Sequence, residues 1–289
     1  MRHEMKLLPK IIIFLLPTKL RAWLSSNIFP EESNLLISVF RNKTEPGVMF
    51  DVGAGHGSTF IPFAKIGWKV FAFEPDSINY QEASINKREF SNVELLNFAI
   101  AGNNKKNVKF YRSDTSDGIS GLSSFDPTHL EFGSVETIRL DTFCELNEIS
   151  EINYLKVDAE GYDFEVIKSL DWVKIKPDFI MFEFEDGRSE ALGYKLTDVI
   201  EFLKHQKCGY NFVISEWHPV TKRGRPHKWR QFTTNPFKVA KNGWGNVIAV
   251  KKQDDYKRLL EITTQPLIKI KWKVGQYFMK FWWGIRFGF

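Results

Sequence analysis

Asp51-Val52-Gly53-Ala54-Gly55-His56-Gly57 sets a carboxylate two residues before the first of three alternating glycines. Glycines at a strand-to-helix turn let the backbone approach a ligand closely. A dinucleotide fingerprint needs its third glycine at position 58, which is Ser58; here it comes one residue early, at Gly57. A carboxylate before the first glycine repels a pyrophosphate and suits a ligand carrying an ammonium and a sulfonium. Glu74 lies 23 residues beyond Asp51, where an acidic side chain ending a second strand accepts hydrogen bonds from both ribose hydroxyls. Pro75 follows it, and Asn97 to Ala99 end a third strand where they would flank an adenine. Asp51, Gly53, Ala54, Gly55, Gly57, Glu74, Pro75, Asn97 and Ala99 thus fit S-adenosylmethionine better than NAD.

Asp158 and Glu160 form a second constellation, two carboxylates two residues apart at a strand end. Methyl transfer to an alcohol benefits from a group that draws off its proton. Either carboxylate is a candidate general base, or the pair is a candidate oxygen-ligand site for one divalent cation. Capping of the helix that follows explains the same residues equally well. His56, in the glycine turn, is a third candidate base.

Apolar runs must position these groups. Val48–Val52, Lys69–Phe73, Val93–Phe98, Tyr154–Val157, Phe179–Phe184, Asn211–Ser215 and Val247–Val250 read as strands. Helical periods at about 59–66, 76–88, 162–170 and 196–205 separate them. Short strands are expected at 108–111 and 135–140, and 113–134 reads as a long loop. Strands alternating with helices imply an α/β, doubly wound, mostly parallel sheet, with ligands beyond the carboxyl ends of its strands. The expected organisation is an apolar and basic segment 1–46, a main domain 47–252 with a basic loop at 217–245, and a tail 253–289.

The motifs resemble those of the FkbM family of class I S-adenosylmethionine-dependent methyltransferases. The matching pieces are DVGAGHG (51–57), FAFEP (71–75), NVELLNFAIAG (92–102), TIRLDTF (137–143), LKVDAEGYDFEVIKSL (155–170) and FIMFEFE (179–185). The most specific piece runs from Lys156 to Gly161, and Gly55 stands where the family often has Asn. The resemblance implies a Rossmann-like sheet of seven strands with one of them antiparallel, and O-methylation of hydroxyls on glycans or natural products. It also makes Ser123 and Ser124 similar to a serine pair near the site. It fades after about residue 186, so the acceptor does not come with it.

The 289 residues are 43% hydrophobic and 26% charged, which excludes disordered, collagen-like and disulfide-scaffold classes. Two cysteines, Cys144 and Cys208, form no framework and suit a reducing, cytoplasmic compartment. Charge is segregated: 1–24 carries +4, 25–207 carries −11, 208–250 carries +6 and 251–289 carries +6. Arg223, Arg225, Trp229 and Arg230 lie in the basic loop, as a candidate lid for an anionic or glycan-like acceptor or as a solvated loop. Leu267–Phe289 has an apolar stripe with Trp and Phe opposite lysines, the composition of an interfacial membrane helix. A helix docked on the core or on a second subunit, in a homo-oligomer, fits it as well. Leu7–Leu16 is too short to span a bilayer, which takes about 20 residues, and could join the same membrane surface. The competing functions are a nucleic-acid methyltransferase, disfavoured by the acidic body, and a catalytically silent binding module, disfavoured by the intact glycine turn.

Overall fold

The computed structural model describes residues 32–40, 45–113, 120–124, 127–219, 228–270 and 272. The runs expected as buried strands lack period-two alternation because both their faces are covered by helices. They form β1 (Val48–Val52), β2 (Lys69–Phe73), β3 (Val93–Leu96), β7 (Tyr154–Val157) and β8 (Phe179–Glu185), joined by β9 (Asn211–Trp217), β10 (Trp229–Thr233) and β11 (Trp244–Val250). The sheet order is β10-β9-β11-β8-β7-β1-β2-β3. β11 runs antiparallel to both β8 and β9, and β10 runs antiparallel to β9. The sheet therefore has eight strands with two reversed, rather than seven with one. The extra strand, β10, is an edge strand with one partner and a polar, half-buried face, so its residues lack the apolar run that marks the others.

The chain winds outward from β1 through β2 to β3, and on the other side from β7 to β8. The strand order reverses between β1 and β7, and a crevice opens there at the carboxyl ends of the strands. A second, three-stranded sheet borders it, with order β4-β6-β5, built from β4 (Ala99–Ile100), β5 (Lys105–Ser113) and β6 (His129–Ile138). β6 begins inside the stretch expected as loop. Most of its residues are exposed, so it has no buried face to write an apolar pattern into the sequence.

Each face of the large sheet has its own core. Phe50, Phe71, Phe73 and Phe143 pack on one side with Val166 and Leu203, drawn from α4 (Leu140–Leu146), α5 (Asp163–Lys168) and α7 (Leu196–His205). Met49, Val70, Phe179 and Ile248 face the other, against Phe60, Phe63 and Leu259 of α2 (Phe60–Lys65) and α8 (Gln253–Thr264). Between α4 and α8 in chain order lies α6 (Asp186–Ser189), and α3 (Ser77–Lys87) covers β3. The many phenylalanines are spent here, in edge-to-face pairs such as Phe73–Phe143 with centroids 4.9 Å apart.

The segments flanking the main domain join this core in their described parts. α1 (Glu32–Phe40) buries Leu36, Val39 and Phe40, with Phe40 4.7 Å from Phe179 and 4.6 Å from Trp68. At the other end Trp272 is buried against Phe232, while Leu267 and Ile270 are 76% and 54% exposed. Leu7–Leu16 and 273–289 lie outside the described residues. Among the described residues no helix is long and apolar enough to cross a membrane.

Candidate functional site

The turn after β1 is built by close packing. A Cβ on Gly53 would sit 1.9 Å from the Asp158 carbonyl oxygen, and the residue has φ +74°, so only glycine fits. Gly53 and Ala54 both donate their backbone N–H to the Phe73 carbonyl at 3.0 Å, which holds the turn against the end of β2. Gly55, also at positive φ, is different: a Cβ there would meet nothing within 4 Å. Its N–H donates to Glu74 Oε2 at 2.7 Å, and the Asp76 N–H donates to Glu74 Oε1 at 2.8 Å. Asn97 Nδ2 donates to the carbonyls of Glu74 and Pro75 at 2.8 and 3.2 Å, fixing the strand end that carries Glu74.

These groups bound a cleft of about 760 Å³, counting the space open to solvent. Gly53, Gly55, Glu74, Pro75 and Ala99 line one side, Phe110, Ser120, Gly121 and Leu122 another, and Asp158, Glu160 and Tyr162 the far end. Ala54, Gly57 and Asn97 do not line the cleft. Burial pushes the Glu74 carboxyl up to about 7, against the pull of its two backbone donors, so the group is poised to gain from hydroxyls that hydrogen-bond to it. The open space beside Gly55 and the carboxylate at Glu74 fit the glycine cradle and ribose anchor of S-adenosylmethionine.

The wall at Ser120 has a tie that the sequence does not reveal. Asp76 is fully buried and caps α3, accepting from Ile78 N at 2.8 Å and Asn79 N at 3.3 Å. Its other oxygen meets Arg112 Nε and Ser120 Oγ, each at 3.2 Å. One carboxylate therefore joins the end of β2, α3, β5 and the cleft wall. The Ser-Gly-Asp composition of 113–121 conceals it, because the pairing partners are distant in sequence.

Asp51 departs from expectation. It is fully buried and does not line the cleft. The ammonium beside it belongs to the chain itself: Lys156 Nζ lies 3.2 Å from Asp51 Oδ1 and 3.4 Å from Asp158 Oδ2, and donates to the Gly53 carbonyl at 2.9 Å. β1 and β7 pair in parallel with Asp51 opposite Lys156, so the sheet register itself brings the charges together. Burial opposes the lysine's charge, but the Asp51 and Asp158 carboxylates outweigh it and hold the ammonium above the ordinary lysine range.

At the far end of the cleft three carboxylates surround one cation. Arg188, in α6, pairs with Glu160, with Glu185 at 2.8 Å and with Glu183 at 3.4 Å. Burial pushes Glu160 up to about 8; Arg188 pulls it down, while Asp158, Asp163 and Glu185 push it further up. Burial likewise lifts Glu183 well above the carboxylate range, helped by Asp158 and Glu160. Glu160 itself sits at φ +50°, in a conformation that turns its side chain to this cluster. Asp163, not Asp158, faces the turn before α5, accepting from Gly161 N at 3.2 Å. Of the two carboxylates considered for a divalent cation, Glu160 pairs with Arg188 and Asp158 with Lys156. Among the described residues no group of three or more His, Cys, Asp or Glu side chains has the arrangement to hold a metal ion.

The methyltransferase FkbM domain model matches residues 51–212, which takes in the turn, the cleft and the acidic cluster. The chain belongs to the FkbM methyltransferase family. It is an S-adenosylmethionine-dependent methyltransferase. No curated protein matches it. Among solved structures, the precorrin-6y C5,15-methyltransferase of Geobacter metallireducens is 16% identical over 76% of this chain and 87% of its own, with a TM-score of 0.40. An rRNA methylase from Streptococcus thermophilus is 13% identical over 77% and 95%, with a TM-score of 0.40. SMU.1697c of Streptococcus mutans, solved with S-adenosylhomocysteine, is 10% identical over 78% and 100%, with a TM-score of 0.41. No acceptor follows from any of them.

The remaining candidates of this FkbM methyltransferase fall away from the cleft. His56 Nδ1 lies 3.0 Å from Glu82 Oε2 and does not line the cleft. Ser123 and Ser124 do not line it, although the preceding Ser120, Gly121 and Leu122 do. Trp229 is buried and packs on Phe232 at 5.1 Å, so it offers no stacking face. Arg230 is committed to Glu216, a fully buried carboxylate that also accepts from Gln231 Nε2 and Ala240 N, each at 2.7 Å. Both are held by β10 and its neighbours. Arg223 and Arg225 lie outside the described residues.

Proposed function

We propose that this FkbM methyltransferase methylates a hydroxyl of a neutral, hydroxyl-rich acceptor such as a glycan or glycolipid, and that Glu160 takes the hydroxyl's proton. The observation that supports it is Glu160 itself: a carboxylate lining the cleft whose affinity for a proton is raised to about 8 by burial first and by its acidic neighbours. A base with a value near the working pH transfers protons most effectively. Bound in the cleft, S-adenosylmethionine supplies a methyl group activated by its positive sulfur. The chain's task is then to hold the acceptor oxygen in line and receive its proton.

The charge at the cleft's end favours this acceptor over nucleic acid. Asp158, Glu160, Glu183 and Glu185 outnumber Arg188, and a phosphate backbone would meet repulsion there. A polyol, in contrast, donates hydrogen bonds that carboxylates accept. Presentation of the acceptor at a membrane, through Leu7–Leu16 and Leu267–Phe289, belongs to the same proposal; exposed Leu267 and Ile270 begin the apolar stripe. The test is transfer of radiolabelled methyl from S-adenosylmethionine to neutral glycans, glycolipids, RNA and DNA in parallel. Transfer to a neutral glycan or glycolipid that Glu160→Gln reduces at least tenfold supports the reading. Transfer confined to nucleic acid overturns it.

A further inference from the structure

A ligand with a cationic end needs a carboxylate it can reach. Asp51, the residue whose position before the glycines suggests that duty, is fully buried and already faces Lys156. Lys156 touches three oxygens: Asp51 Oδ1, Asp158 Oδ2 and the Gly53 carbonyl. One ammonium against two carboxylates leaves the trio with a net negative charge. Of the two carboxylates only Asp158 lines the cleft, with its side chain 42% exposed. The unbalanced charge is therefore presented at one place, beside the Gly53 turn.

We infer that Asp158 receives the ammonium of the cofactor's amino-acid end, and that Lys156 is the positioning residue that neutralises Asp51 inside the sheet and holds Asp158 at the cleft. The inference rests on the S-adenosylmethionine reading of the cleft. It separates two aspartates that look alike in sequence: Asp51 keeps β1 and β7 in register through the buried pair, and Asp158 meets the ligand. It also leaves Glu160, which lines the same cleft, for the proton of the acceptor.

Calorimetric titration of the full chain with two probes tests this without any acceptor. S-adenosylhomocysteine carries the amino-acid end; 5′-methylthioadenosine has the same thioether and adenosine but lacks it. Asp158→Asn removes the charge at a partly exposed side chain. The double variant Asp51→Asn with Lys156→Met removes one charge of each sign from the interior, so it leaves no unpaired buried ion while freeing Asp158 from its anchor. Each variant is expected to weaken S-adenosylhomocysteine binding by about 10- to 100-fold, as loss of a charge-assisted contact does, and to change methylthioadenosine binding by less than about twofold. Unchanged S-adenosylhomocysteine affinity in Asp158→Asn overturns the assignment to Asp158, and in the double variant it overturns the part given to Lys156. An equal loss for both probes overturns the inference too, because the residues would then shape the whole turn. Wild-type protein that binds neither probe overturns the cofactor reading itself, a result distinct from the others.

Discussion

The Arg188 guanidinium closes on the Glu160 carboxylate at the end of the cleft, while its Nη2 lies 2.8 Å from Glu185. A single cation thus holds together groups that repel one another. Removing it leaves Glu160, Glu183 and Glu185 crowded and half-buried. Arg188→Ala is expected to cost about 3 kcal/mol once Glu160 is ionised, the scale of breaking one partner out of a buried ion pair. The loss should grow from pH 6 to pH 9, as Glu160 gives up the proton it holds below about 8. Urea unfolding at pH 6 and pH 9 measures both, and an equal cost at the two values would speak for lost packing instead.

Glu160 makes stability depend on pH in a defined direction. Its folded value near 8 lies above the 4.5 of the free side chain, so the folded state keeps a proton that the unfolded state releases. Stability from this group is fully present below about 4.5 and is lost as pH rises through about 8. Wild-type Tm should therefore fall relative to that of Glu160→Gln between pH 5 and pH 8. Parallel curves would mean that Glu160 is not held protonated. Methyl transfer should move the other way, rising with pH as Glu160 ionises and can accept a proton.

Two glycines of one turn should fail differently. Gly53→Ala forces a Cβ to 1.9 Å from the Asp158 carbonyl, so the β1–β7 junction must open and soluble folded protein should be lost. Gly55→Ala meets nothing within 4 Å and should cost only the roughly 1–2 kcal/mol of a left-handed backbone conformation. Its methyl group would stand in the cleft, so affinity for S-adenosylhomocysteine should fall at least tenfold in a folded protein. Thermal melts and calorimetry on both variants separate the two effects.

Arg230 should matter for folding and not for binding. Glu216 is fully buried, and without Arg230 it keeps only the Gln231 side chain and the Ala240 N–H as donors. Arg230→Ala should lose about 2–3 kcal/mol of stability, with S-adenosylhomocysteine affinity unchanged. Retained stability with weakened acceptor binding would return Arg230 to the lid.

The FkbM motifs, the parallel half of the sheet and the cleft's glycine side were legible from the sequence because each is written locally. Strands buried on both faces must be continuously apolar, and a turn that passes within contact of the next strand must be glycine. Gly53, Gly55 and Glu74 were therefore visible as residue types at a spacing. What is not local was not visible. β5 and β6 showed only in part, as the short runs 108–111 and 135–140, and β10 not at all, because their faces are largely exposed or at an edge. Ser120 and Arg112 became part of the site only through Asp76, 44 and 36 residues away in sequence.

Charge was the least legible property. Asp51 and Asp158 differ in the sequence only by position, yet one faces Lys156 inside the sheet and the other faces the cleft. Trp229 and Arg230 look like a binding surface, yet Trp229 is buried and Arg230 is paired with Glu216. Composition determined that this chain carries an acidic body, basic additions and a cofactor turn. Which carboxylate meets a ligand, which meets a lysine and which shares Arg188 was decided by strand register and by where the helices close over the sheet, because only packing determines which charges are left without an internal partner.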